Sequence, residues 1–298
     1  MSVMITMEEA LRVWLVESGF HQATPLEPMR RGLGGAGLWS FAPSAGQPPL
    51  VVRVFADAQV AEREHAAMVA AGSGGVPVPE FVMRGVLRGQ TVHVLTFLPG
   101  AQVADVLKVD PGSAFSLGVA MGQTLAGLNG VPAPSALRDR PWLAAGGPSL
   151  EPLRSHLALV SDQDRLLHLD YHPANVLTQH GRITGVVDWE NARAGPPHID
   201  LARTTAVLHA LALGALGERP TGSRARPVAD LQHGLAEGHA ALAGRDPHPA
   251  LSTAWGLVMT VEDLRAQLEK PGSPIDRHGV ERLAGERDRA IDVALGDA

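Results

Sequence analysis

The chain has 298 residues, 45% of them hydrophobic, enough to bury a sizeable core as one large domain or two smaller ones. It has no cysteine, which excludes disulfide staples, thiolate nucleophiles and thiolate zinc sites and points to a reducing cytoplasm. A net charge of −6 argues against a nucleic-acid partner, and no apolar run reaches the roughly 18 residues of a membrane span.

The N-terminus, MSVMITMEEAL, has no basic region and carries Glu8 and Glu9 where a signal peptide would be apolar, so the expectation is a cytoplasmic protein. Thr6 and Glu9 have the spacing of a capping box, opening a helix with Leu11, Trp14 and Leu15 on one face and a stop at Gly19. A glycine-rich stretch, GLGGAGLWSF, then a Pro/Gly turn and the apolar run Leu50 to Phe55 read as strand, turn, strand. Asp57 to Ala71 reads as a helix, and Glu80 to Val86 with Thr91 to Leu98 as a hairpin. Pro99-Gly100 breaks this pattern. Beyond it Asp110 caps and Pro111 starts a helix with Leu117, Ala120, Met121, Leu125 and Leu128 on one face. Strands are expected again only at 168–188, followed by helices over roughly 200–217, 227–243, 251–270 and 279–295. The organisation predicts a β-rich lobe over 1–98 and a larger α-rich lobe over 99–298, with a ligand cleft between them.

Within HLDYHPANVLTQHGRITGVVDW (168–189), His180-Gly181 is a two-residue hairpin turn between Asn175 to Gln179 and Arg182 to Asp188. In ideal register Asn175 faces Val186, which puts Asp188 on the same face and at the same open end as Asn175. Asp170 reaches that end through the preceding loop. Three oxygen donors there suit a hard cation such as Mg²⁺ or Ca²⁺. His168, Asp170 and His172 also have the spacing of a hydrolase metal site, but no second histidine cluster completes it. His168 fits better as a hydrogen-bonding brace.

Gly32, Gly34 and Gly37 match GxGxxG but lack the flanking strand and helix of a dinucleotide site, leaving a glycine hairpin over phosphates or an ordinary turn. Arg53 lies mid-strand and asks for a partner, with Glu64 the first candidate, Glu62 the second, and a plain strand-edge arginine the third possibility. Asp200 is placed to cap a helix or to pin the catalytic loop, two roles that are compatible.

HLDYHPANVL followed by GVVDWENARAGPPHIDLA resembles the aminoglycoside phosphotransferases and choline-kinase-like small-molecule kinases over most of the chain. The resemblance implies an α+β, bilobal protein-kinase-like fold with a small β-rich N-lobe and a larger α-rich C-lobe. It also implies transfer of the γ-phosphate of ATP, or GTP, to a hydroxyl of a small molecule with Mg²⁺. Asp170 would be the catalytic base, and Asn175 and Asp188 the metal ligands. His168 and Asp200 would give structural support, and Gly34, Gly35 and Gly37 would cover the phosphates. Arg53, held by Glu64, would contact those phosphates, and Thr96, Phe97 and Leu98 would meet the base as a hinge.

Family kinases have lysine where this chain has Arg53, and the two are not interchangeable. With only two lysines among 25 basic residues, compositional drift explains the change, while a nucleotide-binding pseudokinase is the competing expectation. Twelve residues from Asp188 to Asp200 leave no room for the peptide platform of protein kinases, so the acceptor is expected to be a small molecule. Residues 261–298 carry nine acids and six bases, an excess too small to select a polycationic acceptor.

Overall fold

The computed structural model describes residues 6–29, 37–160, 163–217 and 226–296. They form two compact units, one of 1–65 with 78–98 and one of 66–77 with 99–298.

The first unit is an antiparallel sheet of β1 (Glu27–Pro28), β2 (Gly37–Phe41), β3 (Leu50–Phe55), β4 (Phe81–Leu87) and β5 (Gln90–Thr96) in the order β1-β2-β3-β5-β4. Helix α1 (Met7–Glu17) begins with the expected capping box, Thr6 Oγ1 accepting from the Glu9 N–H and the Glu9 carboxylate accepting from Thr6 N. Period-two alternation sends Trp39, Phe41, Val52 and Val54 into one core with Leu11 and Leu15 of α1. The alternate residue Arg53 therefore lies on the other face, opposite His93, which in turn pairs with Arg84. Helix α2 (Ala58–Ser73) buries Ala61, Glu64, Ala67, Met68 and Ala71, the apolar stripe that also carries the glutamate.

The second unit contains the short strand β6 (Ala101–Gln102), helices α3 (Val103–Val109), α4 (Ala114–Asn129) and α5 (Glu151–Val160), and the two-residue-turn hairpin β8 (Val176–Gln179) and β9 (Arg182–Val186). Strand β7 (Arg165–Leu167) pairs with β10 (Arg193–Gly195). Helices α6 (Pro197–Ala212), α7 (Arg226–Ala243), α8 (Pro249–Leu268) and α9 (Arg277–Gly296) complete it. None of the described helices is long and apolar enough to cross a membrane.

Three expectations need correction here. Helices α3 and α5 and strands β6, β7 and β10 were not expected: the strands, of two or three residues, are too short to show alternation, and the helices are the two shortest α-helices among the described residues, of seven and ten. Asp110 makes no side-chain cap, and a single 3₁₀ turn at Pro111–Ser113 intervenes before α4. Asp200 is not the N-cap of α6, whose cap position is Pro196, so it sits inside the first turn with its carboxylate used elsewhere.

Helices α4 and α7 meet backbone to backbone. Gly118 and Gly122 face Leu231 and Leu235, and Gly234 and Gly238 face Phe115 and Val119, with space for no Cβ at any of the four. His239, next to this seam, is fully buried, and neither ring nitrogen has a hydrogen-bond partner among the described residues. Burial lowers its pKa to about 4, helped by His198 and opposed by Asp246. An unfolded imidazole titrates near 6.5, so as pH falls below that value the unfolded state takes up the proton first and stability is lost. His239→Phe removes this penalty. Its stability relative to the parent chain should rise by about 1.4 kcal/mol between pH 7.5 and 5.5, read by urea unfolding at both pH values. A pH-independent difference would show that His239 is not buried neutral.

Candidate active site

The loop between β7 and β8 carries His168, Asp170 and Asn175, and its backbone is tied at several points. Asp200, fully buried on α6, accepts from the N–H of His168 (2.7 Å, Oδ2) and of Leu169 (2.8 Å, Oδ1). Asn129, at the end of α4, adds a third donor, its Nδ2 lying 3.0 Å from Asp200 Oδ2 and 3.0 Å from the Leu166 carbonyl oxygen. Burial pushes the Asp200 carboxyl above the ordinary carboxylate range, and the donors aimed at it, with His168, pull it back. Of the two roles open to Asp200, the loop pin is the one observed.

His168 is buried, and both ring nitrogens are committed. Nδ1 accepts from the Asp170 N–H at 3.2 Å, leaving Nε2–H to donate to the Val187 carbonyl at 3.1 Å. That pattern needs the neutral imidazole. Burial depresses its pKa more than the carboxylates of Asp200, Asp170 and Asp188 raise it. With no lone pair to spare, His168 cannot ligate a metal, which disposes of the alternating-histidine hydrolase pattern. The ring lies 4.6 Å from that of Trp189, whose Nε1 donates to the Val186 carbonyl at 3.0 Å.

The hairpin turn is as expected, with His180 at φ 52° and Gly181 at φ 75°. Its register is not. Val176, rather than Asn175, opposes Val186, because a bulge at Thr184 inserts one residue into β9. The Thr184 hydroxyl donates to the Pro99 carbonyl at 2.6 Å, a contact invisible to a hairpin considered alone. Asn175 and Asp188 therefore fall just outside the strands, yet they stay adjacent, since Val187 N–H donates to the Asn175 carbonyl at 3.0 Å. Asp188 itself is left-handed at φ 67°.

Asn175 Nδ2 donates to the Asp170 carbonyl (3.0 Å) and to Asp170 Oδ2 (3.1 Å). Because the amide is planar, this turns Oδ1 away from Asp170 as a neutral oxygen donor. Together with the Asp188 carboxylate, near which Glu190 brings a second, the donor set is all oxygen. It fits Mg²⁺, which keeps its remaining positions for water and phosphate. His172 Nε2 lies 3.5 Å from Asp170 Oδ1 and 3.4 Å from Asn175 Nδ2, beside both side chains.

In the first unit, Arg53 Nη1 lies 2.7 Å from Glu64 Oε2, and the guanidinium stands 4.9 Å from the Phe55 ring centroid. Glu62, the second candidate partner, pairs with Arg84 instead. His93, fully buried, places Nδ1 3.8 Å from Glu64 Oε1 and was not anticipated. Gly34 and Gly35 lie outside the described residues. Gly37 starts β2 beneath the Trp39 indole, where a Cβ would come within 2.3 Å of the ring. Thr96 ends β5 with its N–H donated to the Glu80 carbonyl, so it has no backbone donor to offer a base, whereas Phe97 is exposed and Leu98 partly so.

Asn129 and His93 escaped sequence reasoning: Asn129 meets Asp200 across 71 residues of chain, and the signal for His93 was only a polar residue inside a strand. The model of the phosphotransferase enzyme family matches residues 40–245. No curated protein sequence matches the chain. Among solved structures, aminoglycoside phosphotransferase APH(4)-Ia is 16% identical, with 96% of this chain and 97% of that chain covered and a TM-score of 0.62. A thermostable mutant of it, in a ternary complex with AMP-PNP and hygromycin B, is 16% identical with 96% and 97% coverage and a TM-score of 0.59. A choline/ethanolamine kinase family protein from Mesorhizobium loti is 19% identical, with 97% and 95% covered and a TM-score of 0.60. These likenesses establish the protein-kinase-like fold, and the match across residues 40–245 shows that the chain belongs to the phosphotransferase enzyme family.

Proposed function

We propose that the protein is a Mg²⁺-dependent small-molecule kinase that moves the γ-phosphoryl group of ATP or GTP onto an alcohol, in the cytoplasm. The observation that carries this is the Asp170–Asn175 contact at 3.1 Å on a loop fastened by Asp200 and His168. Asp170 is half-buried, and a carboxylate held there orients an acceptor hydroxyl and takes its proton. Asn175 and Asp188 would hold Mg²⁺, which supplies charge neutralisation on the phosphate oxygens. In the first unit, Arg53 is positioned by Glu64 to contact phosphate, and the backbone of Phe97 and Leu98 is available to a nucleotide base. Gly34, Gly35 and Gly37 remain the proposed phosphate cover.

A relative crystallised with AMP-PNP and hygromycin B supports nucleotide use and a small-molecule acceptor. The choline/ethanolamine kinase relative keeps metabolite alcohols beside antibiotics as the acceptor class. The test is a phosphorylation panel of aminoglycosides, macrolides, amino alcohols and sugars, run with ATP and with GTP, with and without Mg²⁺. Transfer to at least one alcohol, abolished by EDTA, is expected. Nucleotide binding without transfer to any member, unchanged in Arg53→Lys, would favour the pseudokinase instead.

A further inference from the structure

Leu169 is a non-glycine residue at φ 60°, a conformation that costs about 1–3 kcal/mol and persists only where its surroundings hold it. The peptide before it is held by Asp200 through the Leu169 N–H. The peptide after it, which joins Leu169 to Asp170, is held at its N–H by His168 Nδ1 and at its carbonyl by Arg203 Nε, 3.4 Å away. Asp200 and Arg203 are three apart on α6, so one helix face grips both sides of the left-handed residue.

Arg203 is only 7% exposed, and its Nη2 forms an ion pair with Asp263 of α8. Gly256 explains the reach. A Cβ there would lie 2.6 Å from the Ala202 carbonyl oxygen, so α8 approaches α6 backbone to backbone, and Asp263 lies two helical turns further along the same face. Asp263 is half-exposed, and burial, together with the carboxylates of Asp170 and Glu262, raises its pKa against the pull of Arg203.

We propose that Arg203, oriented by Asp263, is a positioning residue that fixes the Leu169–Asp170 peptide and thereby aims the Asp170 carboxylate. This rests on the assignment of Asp170 as the base. A guanidinium makes both contacts because its nitrogens are spread in a rigid fork, whereas a lysine ammonium offers one point of contact. A mere tie between α6 and α8 would need only the ion pair.

The experiment measures kcat, both KM values and the melting temperature of the full chain with an alcohol selected by the panel. Arg203→Lys should lower kcat by about 10- to 100-fold and leave the nucleotide KM within about threefold. Asp263→Asn, on the half-exposed side of the pair, should lower kcat by about 3- to 10-fold with the same KM pattern, and it carries the test where Arg203→Lys does not fold. A kcat within about twofold of the parent in Asp263→Asn, or a lower melting temperature with unchanged kcat in Arg203→Lys, overturns the proposal. Retained turnover in Asp170→Asn instead overturns the base assignment on which it rests.

Discussion

Asp170→Asn should lose turnover by about 10²–10⁴-fold while its nucleotide affinity stays within about threefold of the parent. The substitution keeps the shape of the side chain and one acceptor oxygen, so Asn175 Nδ2, now 3.1 Å from Asp170 Oδ2, can still donate to it. What disappears is the negative charge and the ability to take the proton of the acceptor hydroxyl. The backbone ties of the loop run through Asp200, His168 and Asn129, none of which uses the Asp170 carboxylate, so the melting temperature should hardly move. Steady-state rates with the panel's best acceptor, beside a nucleotide titration, decide the matter. Turnover within about tenfold of the parent would remove Asp170 from the chemistry.

The largest effect on stability is expected at the α4–α7 seam. A Cβ on Gly122 would lie 2.2 Å from the Leu235 carbonyl oxygen and 2.6 Å from the His239 nitrogen, and both neighbours are helix backbone. Neither can yield without moving a whole helix. Gly122→Val should therefore cost more than about 3 kcal/mol, a fall of at least about 6 °C in melting temperature for a chain of this size. Activity should suffer as well, because α4 carries Asn129 to Asp200 and accepts the Tyr171 hydroxyl at the Met121 carbonyl, 2.9 Å away. Gly127→Ala is the matched control. It lies on the exposed side of the same helix with nothing within 4 Å, and it should stabilise by up to about 1 kcal/mol through helix propensity alone. Equal melting temperatures for the two variants would refute the close packing.

The parts of this fold that could be read from sequence are those whose cause is local. The Thr6 capping box, the alternating strands around Arg53, the His180-Gly181 turn and the long helices of the second unit all follow from spacing and conformational preference within a few residues. Errors arose where a partner elsewhere in the chain decided the outcome. The Thr184 bulge answers to the Pro99 carbonyl, and the placement of Asp200 answers to the loop it serves rather than to its own helix. Short elements such as β7 and β10 form because they pair with each other, and neither segment signals a strand by itself.

From sequence alone come the order Asp170, Asn175, Asp188, Asp200, the family they resemble, and the partner for Arg53 on the inward stripe of α2. Those are statements about residue type and periodicity, which the chain carries at every position. Tertiary structure alone decided that Asn129 completes the ring of donors around Asp200, that His168 is neutral with both nitrogens engaged, and that four glycines set the distance between α4 and α7. It likewise decided that Arg203 and Asp263 meet beside Leu169. Each of these depends on a hydrogen bond or a steric limit between segments far apart in sequence, and such terms exist only once burial has removed water as the competing partner.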